Sequence, residues 1–149
     1  MLEREVWQRL AEVPDPEIPI LNVVELGIIR YVRLTGDGGA EIGVSPTYTG
    51  CPATEVIHRS IRDHFRSSGL DVTVKSVLSP AWSSDWIADS ARNKLRDYGI
   101  APPQHAACIP CPRCGSHGTT RISEFGSTPC KALHRCNECL EPFEYFKCI

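Results

Sequence analysis

The sequence lacks several things, and each absence narrows what the protein does. It has no apolar run approaching the roughly 20 residues of a membrane span, so no membrane role is expected. It has no excess of charge of one sign, with 16 basic residues against 18 acidic ones. Up to Pro103 the count is 11 basic to 14 acidic, and beyond it 5 to 4, so neither part is built to attract nucleic acid. The opening stretch, MLEREVWQRLAEV, sets Glu3, Glu5 and Glu12 among its apolar residues and has no unbroken apolar core of the kind a secretory signal needs. No internal repeat or low-complexity tract is present. Finally, the first part of the chain is poor in cysteine: Cys51 stands alone there, and the other seven of eight lie from Cys108 onward. Eight cysteines without an export signal point to a reducing, cytoplasmic setting, where thiols serve metals or redox chemistry rather than disulfides.

What is present divides unevenly. A chain of 149 residues holds one ordinary domain or two small ones and buries roughly two-thirds of its unfolded surface. The cysteine asymmetry marks a boundary, and GIAPPQHAACIPC, rich in proline and small residues, places a linker over 99–109. The expected division is therefore a domain over 1–98, the linker, and a cysteine-rich module over 110–149. In the first domain Leu2, Val6, Leu10 and Val13 recur at helical spacing, and Asp15-Pro16-Glu17 ends that helix. Val23 to Leu34 and Ala40 to Val44 read as a hairpin joined by TGDGG. Pro52 opens a second helix with an inner stripe of Val56, Ile57, Ile61 and Phe65, stopped by Gly69. Asp71 to Leu78 reads as a third strand. Ser84 caps a last helix, with Ile87, Ala91, Leu95 and Tyr98 facing inward. The order α-β-β-α-β-α predicts a small α/β (α+β) domain with a mixed three-stranded sheet.

The tail carries the sharpest signal. Cys111-Pro-Arg-Cys114-Gly and Cys136-Asn-Glu-Cys139 are two CxxC knuckles separated by 21 residues, the pattern of a zinc ribbon. Two residues between ligands let a tight turn present both sulfurs to one ion, while the intervening chain forms the strands that close the tetrahedron. Four thiolates suit a structural Zn²⁺ or a single iron; an iron–sulfur cluster also takes four cysteines. Ion binding worth about 10 to 16 kcal/mol is expected to be the main folding energy of a module too small for a core.

The remaining thiols divide into cases. If the second knuckle is a hairpin turn, Cys139 lies midway between Cys130 and Cys148, and opposed residues have Cα atoms about 4.5 to 5.5 Å apart. Cys130 and Cys148 are then either a redox pair, a second labile metal site, or two inert packed thiols. Cys108 reads as a spectator in the linker. Cys51, in TYTGCPATE, falls at a helix N-cap, where free backbone amides favour a thiolate; it is either a reactive thiol or a buried apolar cap. Asp15, Glu17, Thr47 and Thr49 supply oxygen groups able to face it. His58 and His64 stand six apart, off a common helix face, and read as surface or core residues. Trp82 and Trp86 form either an aromatic ledge or part of a core.

With these residues located, the chain resembles a family of accessory proteins of bacterial phenylacetyl-CoA epoxidase systems. The resemblance rests on DPEIP, ELGIIR, PTYTGCPATE, SPAWSSDWI, CPRCGS, SEFGSTPCKAL and EPFEYFKCI and covers nearly the whole length. The part through Tyr98 is similar to a wider family of SufT-like iron–sulfur assembly factors, whose signature maps onto Asp15, Glu17 and Cys51. The resemblance implies a non-catalytic protein that assists maturation or assembly of the epoxidase, handling a transient iron–sulfur cluster. Its implied partners are the epoxidase subunits, above all the reductase PaaE and the di-iron subunit PaaA. Three other roles stay open: an integral non-catalytic subunit of that complex, a thiol oxidoreductase, and a nucleic-acid ribbon, the last disfavoured by the charge balance. Monomer and homodimer also stay open.

Overall fold

The computed structural model describes residues 2–47, 53–105 and 108–148. The chain divides into two compact units, Met1–Trp82 and Ser83–Ile149. No helix among the described residues is long and apolar enough to cross a membrane.

The first unit opens with α1 (Glu3–Leu10), which turns Val6 and Leu10 into the core. The Glu5 carboxylate accepts the Leu2 amide at 2.6 Å, and two glutamates in the first turn complement the helix dipole. A hairpin follows, β1 (Ile29–Leu34) antiparallel to β2 (Gly39–Val44), with Leu34 opposite Ala40. Then α2 (Ala53–Phe65) leads to β3 (Asp71–Ser76), which lies parallel to β2 with Ile42 beside Val74. The crossover through α2 allows that parallel pair. The sheet order β1-β2-β3 is thus mixed, as the sequence predicts. One face carries the core. On the other, Glu41 accepts from the Tyr31 hydroxyl at 2.8 Å and pairs with Lys75 at 3.0 Å and Arg33 at 3.3 Å.

The first strand is shorter than its apolar run. Residues 14–27 fold as turns because side chains capture the backbone amides that a ladder would use. Asp15 Oδ2 accepts from the amides of Glu17 and Ile18, Asn22 Oδ1 from those of Val24 and Glu25, and Glu25 Oε1 from that of Asn22. Val23, Leu26 and Ile28 are buried without belonging to a strand. In α2 the inner stripe is Ile57, His58, Ile61 and Phe65, whereas Val56 is 42% exposed. A left-handed Gly69, φ 75°, ends the 3₁₀ turn that follows α2.

The second unit begins with a 3₁₀ turn over Ser84–Trp86, where Ser83, not Ser84, accepts the capping amide, from Asp85. The helix itself, α3 (Asp89–Asp97), starts later; it buries Ala91 and Leu95, and Tyr98 beyond it is 64% exposed rather than inward. Residues expected to form a free linker instead include β4 (Ile100–Ala101), parallel to β7 (Pro142–Phe146). The rest of that sheet is β5 (Thr119–Ser123) and β6 (Lys131–Cys136), in the order β4-β7-β6-β5. The division therefore falls before α3, at Trp82, and the 99–109 segment belongs to the ribbon's own fold. The ribbon also has a small core, with Ala101, Ile109, Ala132, Phe143 and Tyr145 packed around Cys111 and Cys136. Ion binding is thus not its sole source of order.

The contrast within α2 is testable. Ile61→Ala should cost about 2 to 5 kcal/mol by leaving a cavity, whereas Val56→Ala should stay within about 0.5 kcal/mol. Urea unfolding of the two variants measures the difference.

Candidate metal centre and thiol sites

The second knuckle is the turn of the β6–β7 hairpin, and the first lies ahead of β5, whose Thr119 pairs with Cys136. The residue after each second cysteine is left-handed: Gly115 at φ 77° and Leu140 at φ 64°. That twist turns the chain back so that both sulfurs of a knuckle point inward. Each first cysteine accepts a backbone amide on its sulfur, Cys111 from Arg113 and Cys136 from Cys139, both at 3.4 Å. Cys111 and Cys136 are buried, and Cys114 and Cys139 exposed.

The four sulfurs converge. All lie within 4.8 Å of one another, with Cys111 to Cys139 at 3.8 Å and Cys114 to Cys136 at 3.5 Å. Four sulfurs about 2.3 Å from one ion stand about 3.8 Å apart along the edges of a tetrahedron. The site therefore fits a tetrathiolate metal centre, and among the described residues it is the one set of three or more candidate ligands so clustered. Its electrostatics fit as well. The Cys139 amide lowers the Cys136 thiol to about 7 against the opposing effect of burial. Cys139 is pushed up to about 12: the Glu141 backbone lowers it, but burial and the neighbouring Cys136 and Cys111 sulfurs outweigh that. Sulfurs this close cannot all ionise alone, and a bound dication removes the conflict.

The other two tail thiols do not meet as the symmetric hairpin suggests. Lys131 pairs with Phe146, so the register mirrors about the Glu138–Cys139 peptide and sets Cys130 opposite Lys147. The Cys130 carbonyl accepts the Lys147 amide at 2.9 Å. One step along a strand turns a side chain to the other face. Cys130 is buried near Thr128 Oγ1, whereas Cys148 is exposed, with its sulfur 3.2 Å from His105 Nδ1. No disulfide joins them. Cys108 donates to the His117 carbonyl and stands 3.8 Å from Thr119 Oγ1, beside a cavity of about 310 Å³ lined also by Arg121, His134 and Tyr145. It is anchored in the ribbon rather than idle in a linker.

In the first unit Asp15 is buried and its carboxylate holds the turn described above, while Glu17 beside it is half-buried. Cys51 and Thr49 lie outside the described residues. The strand leading to them ends in a brace that no sequence motif announced. Ser45, buried just after β2, donates to the Val77 carbonyl at 2.7 Å and accepts from Arg30, which also reaches the Pro80 carbonyl. Only the apolar setting of a lone serine hinted at it. Trp82, donating to the Leu26 carbonyl at 3.1 Å, is 4% exposed and so belongs to the core rather than to a ledge; Trp86, in the second unit, is exposed.

With that geometry established, comparison with known proteins gives the class. Residues 3–77 match a family described as iron-sulfur cluster assembly protein, and residues 97–147 match one described as PaaD zinc beta ribbon domain. The fold and the site define a two-module protein, an iron–sulfur assembly-type body followed by a four-cysteine ribbon. A protein of Escherichia coli (strain K12), named as a putative subunit of 1,2-phenylacetyl-CoA epoxidase, is 50% identical over 153 residues, spanning 97% of this chain and 92% of that one. This chain belongs to the PaaD family. An "Fe-S protein maturation auxiliary factor" of Porphyromonas gingivalis is 32% identical, over 62% of this chain and 90% of its own. Among solved structures, a DUF59 domain from Bacillus anthracis superposes with a TM-score of 0.58 at 25% identity, over 62% of this chain and 90% of its own.

Cys114→Ser, or treatment with a strong chelator, should unfold the ribbon while the first unit keeps its own unfolding transition; amide hydrogen exchange resolves the two. A separate expectation concerns His58, which is 7% exposed and whose Nε2 has no hydrogen-bond partner among the described residues. Desolvation holds its pKa below the ordinary value, opposed by Glu55 and aided by Arg62. The unfolded chain then takes up a proton below about pH 6.5 that the folded chain resists, so stability falls as pH drops through that value. His58→Leu should remove this part of the acid sensitivity, read as the shift in urea midpoint between neutral and mildly acidic buffer.

Proposed function

We propose that this protein is a non-catalytic accessory factor of phenylacetate degradation. It assists maturation of the iron–sulfur or other metal centres of the multicomponent phenylacetyl-CoA epoxidase, or assembly of that complex, in the cytoplasm. The observation that carries the reading is the union in one chain of an assembly-family body with a closed clamp of four converging thiols. A closed tetrahedron offers no open coordination position for turnover, so Cys111, Cys114, Cys136 and Cys139 hold a structural Zn²⁺. Cys51 takes or passes a metal or a transient iron–sulfur cluster, with Asp15, Glu17 and Thr49 as its candidate oxygen-bearing companions: a soft thiolate together with hard carboxylates suits iron in passage. The ribbon recognises the client, for which the reductase PaaE is the natural choice and PaaA the next, and the protein works as a monomer or homodimer.

A second reading, an integral non-catalytic subunit, is favoured by the word "subunit" in the name of the Escherichia coli relative. Epoxidase matured in the presence of this chain and then purified free of it separates the two: continued turnover supports the accessory role, and loss of turnover supports the integral one. Within the accessory reading, Cys51→Ser should leave the unfolding midpoint unchanged while the reductase loses iron and acid-labile sulfide. Full epoxidase activity in a strain carrying that change would refute the role of the thiol.

A further inference from the structure

The sheet of the second unit keeps a cavity of about 310 Å³ on one face, lined by none of the knuckle cysteines. Its floor follows from the strand register. Arg121 pairs with His134 and Ala132 with Tyr145, and cross-strand partners turn their side chains to the same face. His134 stands two residues from Ala132, so all four share that face. Lys147, two residues beyond Tyr145, also lines the cavity; its ammonium donates to the Glu124 carbonyl at 3.0 Å and lies over the Phe125 ring at 4.3 Å. Cys108 and Ile109 complete the lining and are tied down. The Cys108 thiol donates to the His117 carbonyl, and the Thr119 hydroxyl donates to the Ile109 carbonyl at 2.5 Å. The walls are therefore set before any ligand arrives, which lowers the cost of binding one.

Two of these groups lack the partners that their chemistry calls for. His134 is 8% exposed, with its ring stacked on Phe143 at 5.6 Å and met edge-on by Tyr145 at 5.5 Å. Those contacts hold the ring in place, yet its nitrogens have no hydrogen-bond partner among the described residues. Polar atoms of a buried side chain are left so where water or a ligand enters to meet them. Arg121, exposed on the edge strand β5, has neither hydrogen bond nor ion pair among the described residues, although its guanidinium carries five donors. No carboxylate lines the cavity, whereas two cations, Arg121 and Lys147, do.

We propose that this cavity binds a small aromatic carboxylate. The charge of the lining turns away a cation. A neutral apolar molecule would strip water from Arg121 and His134 and leave both unbonded. A bare inorganic anion would leave Ile109, Ala132 and the Tyr145 ring uncovered. An aryl carboxylate meets both halves of the lining: its two oxygens match the fork of the Arg121 guanidinium, the His134 ring N–H is a further donor, and its ring lies on Ile109, Ala132 and Tyr145. Size agrees. A cavity of about 150 Å³ holds benzene, so the present one takes a ring together with its carboxylate. It lies at the small end of the range for ligand sites, about 300 to 1,000 Å³. The site goes beyond the accessory reading, which serves only to choose the probe: phenylacetate, the acid of the acyl group in the name of the Escherichia coli relative.

The test titrates phenylacetate and benzoate into the purified, metal-replete full-length chain, followed by calorimetry and by the NMR signals of the Ala132 methyl and the His134 ring. Binding should saturate, shift those signals and raise the urea midpoint of the ribbon. Phenylacetamide keeps the shape without the charge, and acetate keeps the charge without the ring; each should bind at least about 10-fold more weakly. Arg121→Met should lower the affinity about 10- to 100-fold, the scale of a lost charge-assisted pair, while its unfolding midpoint without ligand stays at that of the parent chain. Arg121→Lys, which keeps the charge but not the fork, should fall between the two. Absence of saturation by either acid at millimolar concentration would overturn the proposal. So would equal affinity for phenylacetamide, acetate or inorganic phosphate, an unchanged affinity in Arg121→Met, or signal shifts centred away from the cavity. Failed binding beside normal epoxidase maturation sinks this site alone. Specific binding by a chain that cells lose without harm to the epoxidase sustains the site and sinks the accessory role alone.

Discussion

The pairing of Lys131 with Phe146 is the constraint from which the second unit takes its form. It centres the hairpin turn on the Glu138–Cys139 peptide, presenting Cys136 and Cys139 to the two sulfurs of the other knuckle. The same pairing stacks Phe143 on His134 at 5.6 Å between ring centroids and sets Tyr145 edge-on to that ring. Just beyond the ladder, Cys130 is buried and Cys148 exposed. A slip of β7 by one residue would turn its side chains to the opposite face and draw Tyr145 out of the small core. Metal centre and core are two results of one register.

The two units solve the same difficulty, backbone polar groups close to buried positions, in different ways. In the first, Asp15, Asn22 and Glu25 take up the amides of a stretch too irregular for a ladder, and Ser45 with Arg30 closes the end of the sheet. In the second, sulfur itself is the acceptor, as the amides on Cys111 and Cys136 illustrate. At Cys136 the amide favours the ionised form of an atom that an ion requires. Hydrogen bonding and metal affinity therefore act in the same direction at the second knuckle.

Much of this was legible in the residues, for identifiable reasons. The doubled CxxC spacing names its ligands because two intervening residues leave a tight turn few geometries. The alternation of Ala40, Ile42 and Val44 gives β2 to within one residue because only a strand buries every second side chain. Other features were hidden. Val56 and His58 exchange places on the inner stripe because facing elements, not helical spacing alone, select which flanking position is covered. Val23 to Ile28 reads as strand by composition, yet Asn22 captures the amides of Val24 and Glu25 locally. The Cys130–Cys148 symmetry failed by half a residue, a quantity no spacing argument resolves. Ile109, Arg121 and His134 meet at one cavity through tertiary structure, and no local pattern links them.

The two-residue strand β4 has a consequence beyond its size. Ile100 and Ala101 lie along Glu144 and Tyr145, so the outer flank of the hairpin has its hydrogen-bonding groups occupied at the middle. A ribbon cut free at the cysteines would bare that flank, and an unpaired strand border is a template for sticking to neighbours. The short segment before the first knuckle therefore acts as a sleeve, keeping one copy of the ribbon from zipping onto the next.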